Sequence, residues 1–442
     1  PVVHLSQATL EKKTSGHELN FFEDTTFAGI TLNAGVLLNG YNNVIQGING
    51  IINAASTIQS QGDLTLLSLG TITNIGGSFD AGNHLEIIAK DFYNKTLVVP
   101  YRDKNGEGTK IGSVASINGN TIEVRAVNGI TFEGASATSN GTLTLNAGGD
   151  INVLPTTTGG TSQSQDGHWE VNKSTSELLM SRLAAEDTLS LIAGGVINIT
   201  ASELISTRGG IELMAKQGIH VLDELTQEQI QKVDRKGKTT GQSSEFRTEA
   251  VRAILTAGKG VLLDSEFGDV TLKASEITSA EGTQVKAQNG SVHLLMTKEL
   301  EEFHLQTVRK GTWTIKTRTE DVINENNIQN AIVGGLQVQA MYGINVEYTG
   351  KEGATLKEQI EEYRKMPEMK WMADLYDQAV VDGGQSVNWD VMEEVHKELK
   401  KTAFDFSEKE KNRRFNMVPK IKYRFGRLVI KRSAYRNTGY TK

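Results

Sequence analysis

Apolar and polar residues alternate in short runs, and the same run keeps returning. It reads Gly62-Asp63-Leu64-Thr65-Leu66, then Gly82-Asn83-His84-Leu85-Glu86-Ile87, then Asn140-Gly141-Thr142-Leu143-Thr144-Leu145-Asn146-Ala147-Gly148-Gly149. Further copies are Asp187-Thr188-Leu189-Ser190-Leu191-Ile192-Ala193-Gly194-Gly195, Gly209-Gly210-Ile211-Glu212-Leu213-Met214-Ala215 and Gly268-Asp269-Val270-Thr271-Leu272-Lys273-Ala274. Period-2 alternation is the mark of a half-buried strand. Leu64 to Leu85 and Ile122 to Leu143 are each 21 residues apart, and Leu189 to Ile211 and Val270 to Val292 each 22. A fixed period of this length predicts one coil of a solenoid per copy.

Each coil carries two phrases, as in Leu189-Ser190-Leu191 followed by Val196-Ile197-Asn198-Ile199. The expectation is a strand, a bend and a second strand, with Asn118-Gly119, Asn128-Gly129, Asn140-Gly141 and Asn289-Gly290 supplying positive φ at the corners. One coil cannot bury its aliphatic stripe alone, but the next coil pairs with it about 4.8 Å away and covers it. The fold class is therefore all-β, a right-handed parallel β-helix of around ten coils and roughly 50 Å. A leucine-rich repeat of similar period would need a helical half and a fixed Leu/Asn pattern, and neither occurs.

The rhythm runs over residues 31–350, after an incoming strand or linker at 1–30. It is broken near 92–110, 155–180, 223–250 and 297–325 by polar stretches such as Gly159-Gly160-Thr161-Ser162-Gln163-Ser164-Gln165. Alternation within them, as in Trp313-Thr314-Ile315-Lys316-Thr317, predicts hairpins or loops extruded from the shaft. Residues 351–400 read as a small helical cap or junction. Thr355-Leu356-Lys357-Glu358 spells a capping box, with Leu356, Ile360 and Tyr363 on one face. Met369, Trp371, Met372 and Leu375 mark a second helix ended by Gly383-Gly384, and Val391, Val395 and Leu399 a third from Asn388. Residues 401–442 hold 13 Lys/Arg against 3 Asp/Glu, a net of +10 that leaves −17 on the other 400 residues. Such a run is a solvated or disordered tail, or a contact for phosphates or acidic membrane through Arg413, Arg414, Lys420, Lys422, Arg424, Arg427, Lys431 and Arg432.

Composition fits a thin stacked core. Gly is high at 45 and Pro low at 5, which asks for many turns and few rigid breaks, and aromatics are only 6%. The overall charge of −7 argues against nucleic-acid binding except through the tail. Absence of cysteine removes disulfides, thiolate metal sites and a Cys nucleophile. No apolar run reaches the ~18 residues that span a bilayer. The chain starts at Pro1 with no leader pattern, so an internal piece of something longer is expected, with any export signal upstream.

Candidate chemistry is sparse. The eight His form no metal spacing, and Glu394-Val395-His396 lacks the second His of a zinc-protease helix. Gly237-Lys238-Thr239 ends like a phosphate loop, but Lys232 stands where that motif needs Gly. β-Helical polysaccharide lyases and hydrolases place carboxylates on neighbouring coils, which makes Asp63, Asp150, Asp187 and Asp269 candidates for a polysaccharide-degrading enzyme. All four adjoin Gly or a strand start, where Asx side chains bond backbone locally. No catalytic, cofactor or metal residue is assigned on this reading, and outer ladders of Asn and Thr are left as possible glycan contacts.

The Leu143–Ile151 and Leu189–Ile199 phrases resemble the haemagglutinin repeats of filamentous haemagglutinins and contact-dependent growth-inhibition exoproteins. Met366-Pro367-Glu368-Met369-Lys370-Trp371-Met372, with Val387-Asn388-Trp389-Asp390-Val391 and His396, is similar to the module that follows the shaft in that family. The resemblance covers about residues 30 to 400. It implies a non-catalytic shaft, export by two-partner secretion through an outer-membrane β-barrel transporter, and display at the cell surface. It also implies adhesion to a protein or glycan receptor on a host or neighbouring cell, or delivery of a C-terminal toxin. Where the family continues into Ala/Gly-rich apolar stretches and a toxin, this chain has its basic tail.

Overall fold

The structure is a computed structural model. It describes residues 8–381, apart from 14–15, 22–24, 28–30, 35, 236–238, 311–314, 350–353 and 355, and then 420–424 and 427–432. Side chains are described between Tyr41 and Gln378, the gaps and their flanks apart. The third helix from Asn388, with His396, lies outside the described residues, as do Gly237, Lys238, Trp313, Thr355 and most of the tail.

Three long sheets of 12, 11 and 13 strands run side by side, and each coil gives one strand to each. The sixth full coil shows the pattern: Arg182–Ala185 in the first sheet, Leu189–Ala193 in the second and Val196–Thr200 in the third. Its inward residues Leu183, Leu189, Leu191, Ile197 and Ile199 are fully buried. Pairing between coils is parallel and in register, so that Leu143, Leu189, Ile211 and Val261 stack as one column. This is the architecture of a right-handed parallel β-helix, whose rungs are covered only by the rungs above and below.

Each coil has three strands where the apolar phrases predict two. Most strands of the first sheet are four-residue segments such as Ser136–Ser139 and Glu203–Ser206, with a single apolar residue facing inward and a small buried residue, Ser, Ala or Gly, at the end. One apolar position cannot display alternation, so the third strand has no period-2 signature.

The corners also depart from expectation. None of the four Asn-Gly pairs provides positive φ, and Gly119 is part of a strand. Those conformations fall instead at Gly76, Gly134, Ala55, Ala201 and Ala274 on the turn from the third sheet to the first, at Gly282, Gly334 and Gly335 on the turn from the first to the second, and at Gly50, Gly218 and Gly343 where third-sheet strands begin. Gly290 is needed for space, since a Cβ there would lie 2.3 Å from the Gly268 carbonyl oxygen of the coil below. The strictest Asn ladder lies inside the rod: buried Asn53, Asn74 and Asn94 bond side chain to side chain at 2.8 Å per step.

Four hairpins leave the rod, all at the turn from the third sheet to the first. They are Leu97–Arg102 with Gly106–Ser113, Thr156–Asp166 with Trp169–Leu179, Glu224–Asp234 with Thr239–Val251, and Thr297–Lys310 with Ile315–Ile328. The first begins later than its expected start at Phe92. Phe92 is a rung between Ile72 and Ile130, buried and edge-on to Phe132 at 5.9 Å. Short turns and hairpins alternate from the third full coil onward, so one hairpin leaves every second coil. Two coils rise about 9.6 Å, and two paired strands occupy the same distance. The hairpins therefore join edge to edge in a continuous antiparallel eight-stranded sheet, a fin that touches the rod only near its root.

Helices Leu356–Tyr363 and Lys370–Val381 close the last coil. Buried Trp371 donates its indole N–H to the Asn330 carbonyl at 3.3 Å, and the Ile332 N–H bonds the Glu368 carbonyl at 3.0 Å. Tyr348 of the last rung meets Tyr363 edge-on, and Arg364 ties the helices together through both oxygens of Asp377. Two backbone groups at the terminal edge are thus satisfied instead of being offered to another chain. Of the tail, Lys420–Arg424 and Arg427–Arg432 are described, as an antiparallel hairpin paired to Gly343–Thr349.

Candidate interaction surface

The four candidate carboxylates are corner clamps between coils. Asp63 Oδ1 accepts the Asn83 amide at 2.7 Å and the His84 N–H at 3.2 Å, one coil on. Asp150 accepts the Val196 N–H at 2.8 Å and Asp269 the Ser291 N–H at 2.7 Å. Asp187 pairs with Arg208 at 3.4 Å. Asp63, Asp150 and Asp269 have the expected backbone partners, but on the neighbouring coil and not on the residue's own turn. Asp63 and Asp187 share one corner four coils apart, and Asp150 and Asp269 another three coils apart. At about 4.8 Å per coil these gaps are roughly 19 and 14 Å. Paired glycosidase carboxyls stand about 5 to 9.5 Å apart, so neither pair is brought together for that chemistry.

Asp269 also faces the His293 imidazole at 3.2 Å. His220 lies two strands away from His293 in the third sheet. Burial holds the pKa of His220 below the ordinary histidine value; Asp269 pulls it back up and His293 adds to the lowering. Among the described residues no group of three or more His, Asp or Glu could hold a metal ion, and no helix is long and apolar enough to cross a membrane.

The fin has the clearest chemical pattern. Opposite residues of an antiparallel pair share a face, so its registers sort every side chain to one side or the other. In the second and third hairpins ten charged residues fall on one face. They are Asp166, Lys173, Glu177, Glu224, Glu228, Lys232, Asp234, Glu245, Arg247 and Glu249. Lys173 pairs with Glu228, and Lys232 with Glu245 at 3.3 Å. The other face carries one charge, Glu170, among amides and hydroxyls: Gln163, Gln165, Asn172, Ser174, Gln227, Gln229, Gln231, Gln242 and Ser244, with Phe246, Leu178 and Leu225. A shallow groove crosses it toward the fourth hairpin, lined by Gln231, Gln242, Ser244, Gln306, Thr319 and the His304–Asp321 pair, and Gln242 donates to Gln306 at 3.1 Å. Sequence reading placed the hairpins but assigned no faces. The signal was in the alternation Gln227-Glu228-Gln229-Ile230-Gln231-Lys232.

The haemagglutinin repeat family matches residues 235–311, from the third hairpin through two coils into the fourth hairpin. The tRNA nuclease CdiA of Escherichia coli O6:K15:H31 strain 536 is 31% identical to this chain, over 32% of the chain and 5% of that protein. The tRNA nuclease CdiA of Escherichia coli strain NC101 is also 31% identical, over 27% of the chain and 4% of its own length. The chain thus spans about a twentieth of the length of these relatives. No solved structure matches it. Stacked rungs, the repeat match over residues 235–311 and these relatives agree: the chain carries the haemagglutinin repeat on a β-helix and is similar to exoproteins of the filamentous haemagglutinin and contact-dependent-inhibition type.

Proposed function

We propose that the chain is a non-catalytic shaft segment of a secreted, surface-displayed exoprotein, exported through an outer-membrane two-partner transporter. It holds an adhesive or toxic region of its parent away from the cell and toward a receptor on a host or neighbouring cell. The observation that carries this reading is the continuous buried apolar core from Ile45 to Val346, which makes a rod. Spacing and reach follow directly from about 4.8 Å of rise per coil. The relatives' printed activity, tRNA nuclease, is theirs, and this chain aligns with only a small part of each.

The competing reading is a polysaccharide-degrading β-helix. Its candidate acids are engaged in clamps between coils, which favours the shaft. A reducing-end assay on a panel of bacterial and host polysaccharides decides between them. The shaft predicts no release above the blank for the chain or for Asp269→Ala; turnover that disappears in Asp269→Ala would overturn it. Nucleic-acid affinity, if any, resides in the tail, and deleting residues 401–442 should abolish it together with its salt dependence.

A further inference from the structure

We propose that the nearly uncharged face of the second and third hairpins is a self-association surface, which pairs with the same face of a second copy of this chain. An antiparallel sheet that is solvated on one side and covered on the other keeps its charges on the solvated side. The second and third hairpins follow that rule, with ten charges on one face and one on the other, yet among the described residues no helix or rod strand packs extensively over the face with one charge. Taking an ion such as Lys173 or Glu228 out of water costs several kcal/mol, whereas amides and hydroxyls that find hydrogen-bond partners are buried cheaply.

The second copy is the occupant that the chemistry fits. Gln and Ser side chains both donate and accept, so two identical amide faces are complementary to each other. Stacked Gln and Asn rows also pack tightly between facing sheets. Four strands of about ten residues present roughly 650 Å² at the strand spacing and rise of a sheet. The fourth hairpin carries Lys298, Glu302, Lys310, Asp321 and Glu325 on the same side and bounds the patch. Doubled, the patch is about 1,300 Å², within the size range of a specific interface. Phe246 on its outer strand supplies an apolar anchor of the kind that dominates such interfaces. Pairing needs only the fin and holds whether or not the parent is exported.

The test is sedimentation velocity on the full chain with two variants, Ser244→Lys and Ser243→Lys. These neighbours on one strand are both half-buried and face opposite sides of the fin. Far-UV circular dichroism checks that both fold, and Gln229→Lys, also on the uncharged face, replaces Ser244→Lys if that variant does not. The chain should be dimeric at micromolar concentration, with Ser243→Lys unchanged and Ser244→Lys weakened by about tenfold or more through like-charge repulsion. A monomer at about 100 μM, or equal weakening by the two variants, would overturn the pairing. So would a monomer that binds a neutral polysaccharide and loses it in Ser244→Lys, which would give the face to glycans. None of these results touches the shaft reading, and polysaccharide turnover would leave the pairing standing.

Discussion

Removing one coil should break the fin while sparing the rod. Deleting residues 187–208 takes out 22 residues, which is the register shift between Leu189 and its partner Ile211, so Leu143–Ala147 would stack directly on Ile211–Ala215. The rod closes over the deletion. The second and third hairpins, however, now leave the rod about 4.8 Å apart where two strands need about 9.6 Å. They cannot lie in one sheet, and the seven residue pairs from Trp169–Asp234 to Thr175–Glu228 are lost. An antiparallel ladder averages about one backbone hydrogen bond per pair, each worth about 0.5–1.5 kcal/mol net, so about 4–10 kcal/mol of fin stability goes with them. Hydrogen exchange read by mass spectrometry should show protection collapsing at 169–175 and 228–234 while 143–147 and 211–215 stay protected. Deleting 182–253 instead removes two coils together with the third hairpin. That leaves the second and fourth hairpins two coils apart, and the fin should close again. Full protection of the fin in the single-coil deletion, or its loss in both variants, would refute the matching of coil rise to hairpin width.

Three further outcomes follow from single sites. Leu191→Ala opens a hole in a fully buried column between Leu145 and Leu213, and should cost about 2–5 kcal/mol in denaturant unfolding, with exchange rising first in those two rungs. Trp371→Ala removes the indole packed on the last coil and its bond to Asn330, and should cost about 3–5 kcal/mol, read as earlier exchange at 331–349 with the middle of the rod unaffected. His220 has a lowered pKa, so the unfolded chain takes up its proton more readily than the folded one. Stability should therefore fall as pH drops through the ordinary histidine range, level off below the lowered pKa, and lose that slope in His220→Gln, as followed by thermal melts across pH.

The rod was legible because its second-sheet strands obey two simple rules at once. Leu143-Thr144-Leu145 shows inward residues by alternation, and the step to Leu189-Ser190-Leu191 shows the coil by its period, even with a hairpin lying between them. What escaped was set by the neighbouring coil and not by the local chain. Gly290 is required by a carbonyl 22 residues back, and Asp150 by an N–H 46 residues on, so no local turn rule identifies their roles. The two faces of the fin were half legible. Gln227-Glu228-Gln229-Ile230-Gln231-Lys232 sorts itself by alternation, but only the register shows that Gln231 lies level with Asn172 and Ser244 and makes one continuous surface with them.

The length of the hairpins and their placement are under different physical control. Strand lengths grow along the chain from 6 and 8 residues in the first hairpin to 14 and 14 in the fourth. Each added pair extends a ladder that already exists, so lengthening meets no geometric obstacle. Placement has no such freedom, because an extra coil between hairpins would leave a gap one strand wide and a missing coil would leave no room. The same repeat that covers each rung with the next therefore dictates where a side sheet can grow. A surface much wider than any one hairpin is built from pieces of 17 to 32 residues, without adding a second core to the rod.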